Sequence, residues 1–187
     1  MLTRFLRTFV PWIAFTILGQ EHDSRLGALV AVALAAIFLT ADRRRGRALA
    51  EMVIEVSSVA FFGTLALVSC TLSPAPLGPY GTAAAAAWLA VTAWGTLAIR
   101  RPFTLAISRT AVPAEVHDNP AFYRVNAVIT AAWATAFTLE AVALLLVITV
   151  APHVAIAIIA VKVCAIAAPA LFTVRYPRIL ATRRGTT

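Results

Sequence analysis

A chain of 187 residues that is 61% hydrophobic and only 13% charged falls outside the soluble range, where about half the residues are apolar and about a quarter charged. The composition is that of an integral membrane protein, and the length is that of one domain spanning residues 1–187. The net charge of +8 raises nucleic acid as a partner. Its distribution argues against that: all sixteen basic residues except Arg25 and Lys162 fall in segments assigned to one side of a bilayer.

Taken in order, the chain opens with Arg4 and Arg7 and then an apolar stretch from Phe9 to Gly19 that contains Pro11. No small-residue cleavage pattern follows, so the segment reads as a retained first span over about 5–19 rather than a signal peptide. A polar loop, Gln20 to Arg25, leads to a short, alanine-rich second span at 26–41. Asp42 to Arg47 then carries four arginines in six residues, a firm cytoplasmic anchor. The third span, 48–72, is closed by an uncharged loop whose prolines and glycines forbid a continuing helix. The fourth, 82–99, has an alanine run that offers neighbouring helices a smooth surface, and Arg100-Arg101-Pro102 ends it.

Residues Phe103 to Asp118 are too few and too polar to cross. With Phe103 and Ile107 four apart between Arg101 and Arg109, they suit a short helix lying in the headgroup layer, the alternative being a plain loop. Asn119-Pro120 is a good helix start, an amide that can cap followed by proline at the first helical position. The fifth and sixth spans, 120–150 and 154–174, are joined by Ala151-Pro152-His153, and an arginine-rich tail follows. The expected fold is therefore all-α and polytopic. It has six transmembrane helices, both termini cytoplasmic and an interfacial helix between the fourth and fifth, with a re-entrant hairpin of the first two spans as the alternative. Three helices plus three is also the arithmetic of an inverted repeat, but the echo of Trp12–Thr16 in Trp133–Thr138 joins the wrong helices for one.

Two charges lie far inside the last hairpin. Glu140 is twelve residues before Pro152 and Lys162 ten after it, so both sit roughly 15–18 Å from the turn at nearly one depth. Charges in the apolar layer face partners or water-filled cavities. The pair is either a structural device fixing the rotation of the two helices or part of an ion or proton relay. On the third span, Glu51 lies four residues from Arg47 and pairs with it, while Glu55, one turn deeper, needs a partner. Matching depth points to a polar cluster of Glu55, Arg124 and Asn126, with Ser58 and Thr130 in reach. Its role is either helix-packing glue or a vestibule for an ion or small solute.

Other chemistry is thinly signalled. Glu21-His22-Asp23 are adjacent residues of one loop and poor at converging on a metal, and His117 and His153 read as surface residues. Cys70 and Cys164 read as small core residues, with no disulfide or metal spacing. The four tryptophans read as packing or interface anchors. The chain has no zinc-protease, phosphate-loop or nucleophile-elbow motif, so no catalytic residue, metal or cofactor is assigned.

Arg100-Arg101-Pro102, a polar linker, Asn126 near a helix start, the aromatic stretch Trp133–Phe137 and Lys162-Val163 in the last helix form an ordered series. It resembles the intracellular septation protein A family of small bacterial inner-membrane proteins over roughly residues 100–175, with weaker likeness around Pro11 in Phe5–Thr16. The resemblance implies a place in the bacterial cell envelope and division septum, contacts with other membrane proteins, and no agreed enzymatic reaction. The expectation is a non-catalytic protein of the inner membrane that works by helix–helix contact, with the lipid bilayer, with its own copies, or with division and wall-synthesis proteins. A small ion or proton channel or secondary carrier using Glu140 and Lys162 is the second expectation, and a membrane enzyme acting on lipid or quinone the third.

Overall fold

The computed structural model describes residues 2–18, 24–72, 77–110, 112–150 and 155–184, and among these every regular element is a helix. The long elements are α1 (Leu2–Leu18), α2 (Ser24–Arg44), α3 (Val53–Thr71), α4 (Gly81–Ala98), α5 (Phe103–Arg109), α6 (Pro120–Val150) and α7 (Ala155–Arg184). They sort into two compact units, Met1–Trp88 and Leu89–Thr187, divided within α4. In the first, α2 packs along both α1 and α3; in the second, α6 packs along α7 and α5.

Among the described residues four helical segments are long and apolar enough to cross a membrane: Arg25–Arg44, Val53–Thr71, Pro120–Val150 and Ile156–Pro177. A fifth crossing exists if α4 and α5, bent by 76° at the break between them, form one span, and the apolar part of α1, Arg7–Leu18, is shorter. These segments suggest a membrane-embedded protein. Their outward surfaces are apolar, as Val91 at 69% and Ile156 at 81% exposed illustrate; water would penalise such sides, and lipid tails would not.

Small residues and aromatics build the contacts. Ala28, Ala31 and Ala35 recur on one face of α2, and Ala83, Ala86, Ala90 and Ala93 on one face of α4, all buried, so that backbones can approach closely. Phe15, Phe61, Phe62, Trp12 and Trp88 form a ring cluster in the first unit. Each of the chain's four tryptophans also donates its indole N–H to a hydroxyl on a neighbouring helix. The pairs are Trp12 with Ser58 (2.7 Å), Trp88 with Ser57 (2.8 Å), Trp94 with Thr138 (3.2 Å) and Trp133 with Thr173 (3.0 Å). Ser58, Thr138 and Thr173 each pass their own proton back to the carbonyl four residues earlier, Ile54, Ala134 and Pro169. Apolar packing therefore comes with a directional bond that fixes rotation, which a tryptophan acting only as a packing anchor does not supply.

Several boundaries differ from expectation. Alpha-helix does not begin at Ala48: a 3-10 turn at Leu49–Glu51 precedes α3, which starts at Val53. The cause is the end of α2. Gly46, at φ +82, donates its N–H to the Arg43 carbonyl, and Arg47 donates to the Asp42 carbonyl, the paired bonds that end a helix in a left-handed residue. Arg47 and Glu51 consequently do not share a helix face. Arg47 bonds the Glu51 carbonyl oxygen instead of its carboxylate, and Glu51 is exposed. At the other end of the chain α7 continues past 174 to Arg184, because arginines end an apolar span without ending a helix. Cys70 and Cys164 are exposed, not in the core; a helix apolar on all sides gives a thiol no preferred face.

Candidate functional site

Among the described residues polar side chains gather at three places, and the first lies between α6 and α7. Asn119 starts α6 by accepting the N–H of Ala121 on its side-chain oxygen (2.8 Å), and the helix then runs unbroken for 31 residues. The opposing α7 brings Lys162 to Glu140, its Nζ donating to Oε1 at 3.0 Å. The two side chains are 15% and 7% exposed, so the contact is largely withdrawn from the surroundings. Attraction at that distance is strong where water is scarce, and breaking it leaves an expensive lone charge. Trp133 to Thr173, on the same two helices, adds a second fixed point nearer the α6 start.

The second place is the corner after α2. Asp42 accepts three arginines: Arg7 at 3.4 Å and Arg45 at 3.2 Å on Oδ1, and Arg47 at 2.7 Å on Oδ2. Arg7 also stands over the Phe38 ring, 4.6 Å from its centroid. Glu55 accepts the Thr8 hydroxyl at 3.3 Å and lies 3.9 Å from Arg47. One carboxylate thus ties α1, α2 and the following turn, and a second ties α1 to α3.

The third place joins α5 to α6 without any charge. Ser108 donates to the side-chain oxygen of Asn126 (2.7 Å), whose amide donates to the Phe122 carbonyl (2.9 Å). Thr104 reaches the Asn126 carbonyl at 2.9 Å and shares a 2.8 Å hydroxyl contact with Thr130. All four residues are buried. Thr104 and Ser108, four apart, occupy one face of the seven-residue α5, with Phe103 also buried and Arg109 exposed.

The residues expected in one polar cluster therefore have separate partners. Glu55 is held by Thr8 and Arg47 of the first unit, Asn126 by Ser108 and Thr104 of the second, and Arg124 is exposed. Depth along a helix says nothing about position in the plane, so a depth count could not name Thr8 and Arg47 as the partners of Glu55. Sequence reasoning also missed Asp42, Arg7 and Thr8. The usable signal was the Gly46 helix stop, which turns the arginines after Asp42 back onto its carboxylate.

No group of three His, Cys, Asp or Glu able to hold a metal occurs among the described residues. Glu21-His22-Asp23 and His153 lie outside them. His117 stacks on Phe122, its Nε2 lying 3.1 Å from the Arg109 carbonyl oxygen and 3.2 Å from that of Val112. Comparisons of the chain with protein-family models, curated proteins and solved structures find no match.

Proposed function

We propose that this chain is a protein of the bacterial inner membrane, at the cell envelope and division septum, that acts by helix–helix contact and carries out no reaction. In this reading α1 and α4 complete six crossings and both termini are cytoplasmic, as the arginine-rich segments favour. The observation that carries it is the use made of the intramembrane polar groups. Glu140 is spent on Lys162, Ser58 on Trp12, and Asn126 on Ser108, each fixing one helix against another. Meanwhile α7 keeps long apolar side chains, Ile159, Val163 and Leu171 among them, on its exposed surface. A photo-crosslinking residue at 159, 163 or 171 in growing bacteria tests this. Covalent adducts with a second copy or with a division or wall-synthesis protein are expected, and adducts with lipid alone would defeat the reading.

The alternative, a small ion or proton channel or secondary carrier, draws on the same Glu140–Lys162 contact, a charged group on each of two adjacent crossings. Purified protein in liposomes distinguishes the two. Flux that disappears in Glu140→Gln favours transport; the same background leak in wild type and variant favours assembly.

A further inference from the structure

The corner after α2 is layered by charge. Its inner carboxylates, Asp42 and Glu55, are 10% and 13% exposed and already engaged by Arg7, Arg45, Arg47 and Thr8. The outer layer is cationic. Arg43, Arg44 and Arg45 are all exposed. Arg43 uses one nitrogen on the Arg47 carbonyl, and Arg45 reaches inward to Asp42 with 67% of its side chain still exposed. Among the described residues Arg44 has no hydrogen-bond or ion-pair partner, and the buried Nε of Arg47 has no acceptor. Five arginines (7, 43, 44, 45, 47) against three carboxylates (Asp42, Glu51, Glu55) leave a formal +2, and of the three carboxylates only Glu51 is an exposed residue.

Position matters as much as sign. The apolar segment of α2 ends at Arg44 and that of α3 begins at Val53, so the corner stands at the edge of the apolar layer. That is where lipid phosphates lie, and guanidinium groups match phosphate oxygens in forked pairs. We infer that Arg43, Arg44 and Arg45 form a binding surface for the phosphate of acidic phospholipids, held outward by the turn at Gly46 and by Asp42 and Arg47 beneath. Zwitterionic lipids bring their own cation to the same surface and gain less. This inference rests on the chain being membrane-embedded but not on its acting through protein contacts.

The experiment uses the full chain in nanodiscs of phosphatidylcholine with increasing phosphatidylglycerol, counting retained acidic lipids by native mass spectrometry. Wild type should retain phosphatidylglycerol in preference to phosphatidylcholine. The variant R43Q/R44Q/R45Q should lose affinity by about a hundredfold, since each of the three arginines near an anionic surface is worth about fivefold. R43K/R44K/R45K, which keeps the charge but not the fork, should fall between them and serves if the glutamine variant does not fold. R178Q/R183Q/R184Q, in the tail, should lose less than the corner variant, and excess inorganic phosphate should not displace the lipid. Unchanged retention in both corner variants overturns the proposal, as does loss confined to the tail variant or displacement by phosphate, which marks a free-anion site. A chain that fails to enter the nanodisc overturns the membrane reading as well; one that enters without a lipid preference overturns this inference alone.

Discussion

After α2 and after α4 the chain leaves a long helix through the same pair of backbone hydrogen bonds. Gly46 and Arg47 bond Arg43 and Asp42; Arg100 and Arg101 bond Leu97 and Thr96. The residue in the left-handed position differs: glycine at φ +82 in one case, arginine at φ 57 in the other. The bonds that secure each corner differ too. The first corner is held by carboxylates among arginines, the second by the neutral network of Thr104, Ser108, Asn126 and Thr130. The second unit keeps its ion pair far along the helices, between Glu140 and Lys162, not at its corner. The same turn geometry is thus secured by carboxylates whose arginine partners stay partly exposed in one place, and by buried hydroxyls and an amide in the other.

The comparison can be tested by removing one partner at each place. Lys162→Met should have the largest effect, about 3–5 kcal/mol of stability lost, because Glu140 is left as a lone charge in a dry contact. Adding Glu140→Leu should recover most of it, as read by unfolding in detergent; no recovery would mean that the pair is not mutually compensating. Asp42→Asn should cost about 2 kcal/mol, less than a fully buried break because its arginines are partly exposed, and the loss should shrink as salt is raised. Asn126→Ala should cost about 1–2 kcal/mol by stranding the Ser108 hydroxyl, and salt should not change it. If both losses respond equally to salt, the distinction between an ionic and a neutral corner fails. Smallest are the helix stops themselves. Gly46→Ala should cost about 1 kcal/mol, and since nothing lies within 4 Å of an added Cβ the effect is that of backbone conformation alone. Arg100→Gly should stabilise by up to about 1 kcal/mol, the opposite sign at the equivalent position.

Much of the axial layout was legible from the sequence, and little of the lateral arrangement. Asn119-Pro120 marks the start of α6, and counting from Pro152 places Glu140 and Lys162 at one level, because rise per residue is fixed. With only a short link between α6 and α7, a shared level is enough to bring them to 3.0 Å. Glu55 had no such constraint: its partners Thr8 and Arg47 depend on how α1 and the Gly46 turn pack, which a depth count cannot reach. The six-crossing reading met the same limit at its margins. Alanine-rich α4 and the short α1 carry too weak an apolar signal for composition to decide whether each crosses, and the 76° break before α5 leaves no mark beyond Arg100-Arg101-Pro102.

The bond between Lys162 and Glu140 also bears on how the chain is made. If these apolar helices insert into a membrane, a growing polypeptide that has released only α6 presents the lipid with an acid that nothing neutralises, at an insertion penalty of about 2.5–3.5 kcal/mol for such a group at mid-helix. Once α7 emerges, ammonium and carboxylate can cancel before either faces hydrocarbon. On that condition delivery of the two helices as a single package is favoured, and a ribosome stalled between them should leave α6 waiting at the insertion machinery.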